Sequence, residues 1–259
     1  MCLVVLAWNA VSGQRLVLVG NRDELHARPT AAMGWWRRPR LLAGRDLSAG
    51  GTWLGVDGRG RVGVVTNFRG GAPPPPAAPS RGTLIPRYLA GELSPAAFLG
   101  ALASDADRYA GFSLLVANEH ELGYFCNRDA GPPRLLAAGI YGLSNATLDS
   151  PWPKLVNSRA ALAERLAAPP RAAALLDLLA DRAPAADGEL PDTGVGLPEE
   201  RRLSPAFILG TEYGTRSTTA LVLGTDGHGA VIERSYAADG SPSGTRRFRL
   251  SRRAPPDAG

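Results

Sequence analysis

The sequence predicts a single α+β domain in which two antiparallel sheets lie face to face with helices outside. Two observations carry that prediction. The strand-length apolar runs come in pairs joined by short polar turns, which is how hairpins are written. The helical patterns fall between groups of strands and do not alternate with single strands, so nothing supports a parallel βαβ sheet. At 259 residues, with 44% hydrophobic and 20% charged content, the chain has ample interior for one large core and no sign of wholesale disorder.

The elements follow in order. Cys2–Asn9, a Val-Ser-Gly-Gln turn and the run RLVLVG make a first hairpin. Residues 21–50 read mostly as loop, with Trp35 and Trp36 as packing anchors. A second hairpin runs TWLGV, a turn at Asp57-Gly58-Arg59-Gly60, then RVGVVTNF. The prolines Pro73–Pro76 exclude that stretch from a central sheet. One helix is expected over roughly 83–91. A second starts at Ser94-Pro95, an N-cap followed by proline at the first helical position, and runs to about Tyr109. Strands at 112–117 and 121–126 form a third hairpin, and PRLLAAGIYGLSNA supplies a short strand and a loop. Ala/Leu periodicity predicts helices over 153–167 and 171–182. A Pro/Gly-rich connection, 183–204, leads to closing strands AFILG, STTALVLG and VIERSYA. Residues 245–259 read as a last strand running into a solvated basic tail.

The net charge of +5 is concentrated at the end of the chain. Arg246, Arg247, Arg249, Arg252 and Arg253 stand there against Asp257 alone, leaving the body near neutral. That is not the basic face of a nucleic-acid reader. One lysine, Lys154, accompanies 28 arginines, which reads as GC-rich coding bias. Two cysteines make no disulfide framework, and no Cys/His spacing predicts a metal site. The apolar start lacks a basic region before it, and no later run approaches a membrane span, so a cytoplasmic protein is expected.

Several short stretches carry candidate chemistry. A small residue at position 2 favours removal of Met1, which would leave Cys2 with a free α-amine. That amine titrates near 7.7–8.0 and can take the thiol proton, so no histidine is needed. The other reading of Cys2 is an inert cysteine starting a strand. The hairpin returns the chain to its start, so Arg22 and Asp23 of GNRDE should lie close to Cys2. The arginine there favours thiolate, and the carboxylate can orient the amine. Asn67 and Asn145, in VVTNF and GLSNA, can donate to an oxyanion or act only as turn residues. Arg216 of YGTRSTT can clamp a carboxylate or brace the site.

Taken together, MC, GNRDE…RPT, GRDLSAGGTWLGV, GVVTNFRG, GLSNATLDSPWPK and YGTRSTT resemble the NRDE-motif family, the relatives of transport and Golgi organisation protein 2. The resemblance runs from Cys2 to about Thr225. It implies an N-terminal-nucleophile hydrolase-like fold, a four-layer αββα sandwich. It also implies a distant likeness to the choloylglycine hydrolase and penicillin V acylase group, in which an N-terminal cysteine attacks an amide. By that likeness Cys2 is nucleophile and base, Arg22 and Asp23 support it, Asn67 and Asn145 bind the oxyanion and amine, and Arg216 is a second arginine. The acylases typically read Gly-Arg-Asn-x-Asp, whereas Arg22 and Asp23 are adjacent, so their separate roles stay open. The favoured ligand is a small acyl amide. The family also implies an alternative, a carrier of haem or an acyl ligand, with haem iron drawing on Cys2, Cys126, Met33 or a histidine.

Overall fold

The computed structural model describes residues 2–71, 73 and 76–251. Its strands are β1 (Cys2–Val11), β2 (Gln14–Leu25), β3 (Thr30–Trp35), β4 (Leu41–Asp46), β5 (Leu54–Asp57), β6 (Val62–Asn67), β7 (Phe112–Ala117), β8 (Leu122–Cys126), β9 (Arg134–Leu135), β10 (Gly139–Leu143), β11 (Tyr213–Gly224), β12 (Gly229–Tyr236) and β13 (Pro242–Leu250). The helices are α1 (Leu84–Ala90), α2 (Pro95–Ala103), α3 (Pro153–Arg165), α4 (Ala172–Leu175) and α5 (Leu197–Arg202). One sheet has the order β10-β1-β2-β11-β12-β13 and the other β3-β4-β5-β6-β7-β8-β9, antiparallel throughout.

Strand alternation builds the four layers. In β1, Val4, Leu6 and Trp8 face the second sheet and pack on Leu54, Val64 and Leu115. Leu3, Val5 and Ala7 face outward and pack on Leu155 and Leu162 of α3 and Leu175 of α4. On the far side, Leu41, Leu114 and Val116 of the second sheet pack on α1 and α2 through Leu84, Ile85, Leu99 and Leu102. Both faces of β1 are covered, so its sequence is an unbroken apolar run. The αββα sandwich expected from the sequence is present.

Five local expectations are corrected. Residues 21–50 are mainly strand, because Pro29 and Pro39 stand outside the ladders of β3 and β4, and a register shift between Ala31 and Gly34 absorbs the irregularity. Trp36 is the anchor there, donating from Nε1 to Ala43 O at 3.1 Å, whereas Trp35 is exposed. The second helix stops at Ala103, followed by a 3-10 turn at Ala106–Arg108. The predicted helix 171–182 keeps only α4, because Leu179 O and Asp181 O are taken by Asn21 Nδ2 and the Phe207 backbone amide. AFILG is a buried loop, not a strand: Ala206, Phe207 and Ile208 are sealed in, with Ile208 N bonded to Thr215 Oγ1. Burial alone makes a five-residue apolar run look like a strand.

The connection 183–204 contains α5, and the C-terminal stretch forms edge strand β13 paired to β12. Its exposed arginines Arg246, Arg247 and Arg249 discourage a further strand from pairing there. The expected end of the basic tail, 252–259, Met1, and two of the prolines, Pro74 and Pro75, lie outside the described residues. Among the described residues no helix is long and apolar enough to cross a membrane.

Candidate active site around Cys2

Cys2 begins β1 and stands directly opposite Arg22 on β2, as the hairpin predicts. Its parity matches Val4 and Leu6, so it belongs to the space between the sheets. There it is half-buried and lines a cavity of about 280 Å³. The second sheet supplies the opposing wall, Trp53, Val65 and Asn67, and the segment Ser80–Gly82 closes one side. That segment approaches Gly51 so closely that a Cβ on Gly51 would sit 2.4 Å from the Gly82 carbonyl carbon. Cys126, the other cysteine, is sealed in the core.

Adjacent residues in a strand point to opposite faces, and this separates Arg22 from Asp23. Arg22 shares the face of Leu16 and Leu18. It is 4% exposed, its guanidinium lies 4.3 Å from the centre of the Trp53 ring, and Glu24 Oε2 is 3.7 Å from its Nη2. Its Nη1 is buried with no partner among the described residues. Asp23 lies opposite Thr215 of β11, and Thr215 Oγ1 donates to its Oδ1 at 2.6 Å. Burial pushes the Asp23 carboxyl above its ordinary range, opposed by Lys154, the Thr215 hydroxyl and Arg22. Burial likewise pushes the Cys2 thiol up, with Asp23 adding to the rise and Arg22 and the Asp23 backbone amide opposing it.

Asn67 ends β6 and lines the cavity, exposed and with no side-chain partner among the described residues. Asn145 does not line it. Its Nδ2 donates to Asn67 O at 2.8 Å, so it holds the end of β6, while its fully buried Oδ1 has no partner among the described residues. Its neighbour Ser144 donates from Oγ to Cys2 O at 3.1 Å, tying this loop to the start of β1. Arg216 also stands outside the cavity wall. Its Nη1 donates to Leu25 O at 2.8 Å and Arg28 O at 3.3 Å, bracing the chain just after GNRDE. Asn21, the first letter of that motif, is a staple: Nδ2 donates to Leu179 O and Ala206 O, and Oδ1 accepts from Thr218 Oγ1 at 2.6 Å.

The sequence reading missed Lys154. It sits in the first turn of α3, 6% exposed, with Nζ donating to Leu203 O at 2.7 Å. Burial and Arg69 pull its pKa down to about 8, while Asp23, Cys2 and Glu200 pull the other way. It is the charge behind Asp23, on the helix side of the sheet. The signal available was its solitude, one lysine among 28 arginines, within SPWPK.

This gives a pH prediction. Unfolded lysine keeps its proton to about 10.4. Between about 8 and that value the unfolded chain therefore holds a proton the folded one has released, and stability rises with pH. In urea titrations at pH 8 and pH 10, wild type should gain up to about 2 kcal/mol over Lys154→Met. A pH-independent difference would mean Lys154 is not titrating in the folded state.

The haem ligands expected as an alternative do not come together. Met33 and Cys126 are closed into the core between the sheets. His26 Nε2 lies 2.9 Å from Gly210 O, and His120 and His228 are exposed. These residues do not offer haem an enclosed site. Among the described residues there is also no group of three or more His, Cys, Asp or Glu that could hold a metal ion.

The profile of the family described as Transport and Golgi organisation 2 matches residues 1–238. Transport and Golgi organization protein 2 homologs are similar over nearly their whole length. The Bos taurus protein is 31% identical over 262 residues, covering 91% of this chain and 93% of that one. The Homo sapiens protein is 30% identical over 264 residues, with the same coverage. The Mus musculus homolog is 29% identical over 261 residues, again covering 91% and 93%. Among solved structures, a Caenorhabditis elegans N-acylethanolamine-hydrolyzing acid amidase ortholog is similar at a TM-score of 0.49 and 11% identity, covering 86% of this chain and 93% of that one.

Proposed function

The chain belongs to the Transport and Golgi organisation 2 family, and we propose that within it this protein is an N-terminal-cysteine amidohydrolase acting on a small acyl amide or related C–N bond. One observation carries the reading: Cys2 opens on a cavity faced by a buried guanidinium, Arg22, whose Nη1 has no partner among the described residues. A merely structural cysteine at a strand start needs neither.

The chemistry requires removal of Met1. The freed α-amine of Cys2 then takes the thiol proton, and the thiolate attacks the substrate carbonyl. Arg22 favours the thiolate, and the unengaged Asn67 amide is the available donor for the oxyanion. Collapse expels the substrate amine, which leaves with the proton held by the α-amine. Water then attacks the thioester, giving up a proton to the α-amine, and the acid departs as the thiol is restored. Asp23, whose charged form Thr215 and Lys154 favour against the cost of burial, orients the α-amine. Asn145 and Arg216 are positioning residues, holding the end of β6 and the chain just after GNRDE.

The test is an N-terminal peptide map of the purified full-length protein. A free, unmodified Cys2 amine is expected. A retained Met1 or a blocked amine ends the hydrolytic reading at its first step, and a non-catalytic ligand carrier on the same scaffold then takes its place.

A further inference from the structure

Three arginines, Arg22, Arg28 and Arg81, and three carboxylates, Asp23, Glu24 and Asp46, line the cavity, but they are not evenly paired. Arg28 is paired with Asp46 at 2.7 Å and lies 3.7 Å from Glu24. Glu24 is also 3.7 Å from Arg22. Asp23 is engaged by Thr215 and backed by Lys154. Arg81, which lines the same cavity, is different. Its Nη1 donates to Gly111 O at 2.8 Å, and among the described residues no carboxylate lies within 4.0 Å of it. Burial weakens its hold on its proton, while Cys2 and Glu24 support the charge, so the guanidinium and the thiol sense one another. A half-buried cation with no carboxylate within 4.0 Å among the described residues, lining the same cavity as a second guanidinium with an orphaned buried N–H, is arranged to receive an anion.

We propose that the Cys2 cavity selects small substrates carrying an anionic group, a carboxylate in the simplest case, and that Arg81 is the residue recognising it. The inference rests on Cys2 being the reactive thiol of this site. At about 280 Å³ the cavity has room for a short acyl group with one such charge. The arrangement also explains why Arg81, on a short turn before α1, reaches toward the sheets: Gly111 O anchors one arm and leaves the rest facing the cavity.

The experiment compares iodoacetate with iodoacetamide, reagents of nearly equal size that differ in charge. In both, the thiolate attacks the methylene carbon, a C–S bond forms, the C–I bond breaks and iodide leaves. Labelling of the Cys2 peptide in the full-length protein is followed by mass spectrometry, and the rate ratio is divided by that of N-acetylcysteine in the same buffer. Any change in the thiol's own acidity affects both reagents and cancels in the ratio. Wild type should favour iodoacetate by about tenfold, the scale of one charge-assisted hydrogen bond. Arg81→Gln should bring the ratio to within about twofold of the free thiol, and Arg81→Lys should keep most of the preference.

A wild-type ratio equal to that of N-acetylcysteine, with iodoacetamide still labelling Cys2, overturns the anion site and leaves the nucleophile standing. A preference unchanged in Arg81→Gln assigns recognition to Arg22 and overturns the role of Arg81. If neither reagent labels Cys2 in the folded protein, the thiol is inaccessible and both readings fall. Methionine removal is not required for this alkylation, so its failure is distinguishable from a retained Met1.

Discussion

Replacing Cys2 by Ala should lower hydrolysis of a responsive acyl amide by at least about 10³-fold, the scale on which removal of a catalytic nucleophile is felt. Cys126→Ala should stay within about twofold, because that sulfur is sealed in the core between the sheets and does not line the Cys2 cavity. The same loss is expected for a protein bearing an uncleaved N-terminal extension, in which the thiol is intact but the α-amine is part of a peptide bond. That pairing separates the mechanism from a conventional cysteine hydrolase. No histidine lines the cavity on which Cys2 opens: His26 is held at Gly210 and the others are exposed. The rate should rise with pH through the α-amine range, about 7.7–8.0, since the ammonium form cannot take the thiol proton. Activity that survives the extension would contradict the mechanism.

Glu200→Ala should destabilise the fold by about 3 kcal/mol, equivalent to a fall of roughly 10 °C in Tm for a chain of this size. Glu200 is 3% exposed and pairs with Arg69, itself 4% exposed and stacked 4.6 Å from the centre of the Trp152 ring. The other carboxylate oxygen of Glu200 accepts from the backbone amide and hydroxyl of Thr193. One side chain therefore fastens the segment before α5 to the chain following β6. The contact is close: Gly70 has φ near +75°, and a Cβ there would stand 2.3 Å from Thr193 O. Truncating Glu200 takes its paired carboxylate from a buried cation and releases Thr193 together. Replacing both partners, Arg69→Met with Glu200→Leu, should recover much of the loss, because the desolvation cost of the pair goes with it. Urea unfolding of the two variants measures this. A loss below about 1 kcal/mol in Glu200→Ala would mean the pair is solvated.

The parts of the site that lay within one hairpin were legible in the sequence. Turn position sets register, and register sets Arg22 opposite Cys2. The separate tasks of Arg22 and Asp23 were not legible from the motif, but they follow from strand alternation once β2 is known to extend through Leu25. What stayed hidden came from segments whose backbone bonds are satisfied by tertiary partners. AFILG looks like a strand because it is apolar, yet its amides go to Asp181 and Thr215. The helix predicted after Arg171 stops early because Asn21 claims Leu179 O. Pattern and propensity carry no trace of such long-range bonds. Lys154 was obscured differently, since compositional bias made a single basic residue look meaningless. Arg81 was hidden among 28 arginines; of the three that line the cavity, it is the one with no carboxylate within 4.0 Å among the described residues.

The two buried charges on the helix side of the sheet, Asp23 and Lys154, both sit at a cost to stability. An apolar pair of similar volume would pack there at least as well. Their retention beside Cys2 accords with a site in which the α-amine needs a fixed anion and that anion needs a cation behind it.

The most direct test is mass spectrometry of the Cys2 peptide during turnover. The protein is mixed with a panel of small acyl amides, including carboxylate-bearing ones, and quenched in acid at short times. A thioester on Cys2, equal in mass to the acyl group, which forms and then decays as product accumulates, is the predicted result. Turnover that proceeds with Cys2 never acylated, or acylation that maps to another residue, would contradict it.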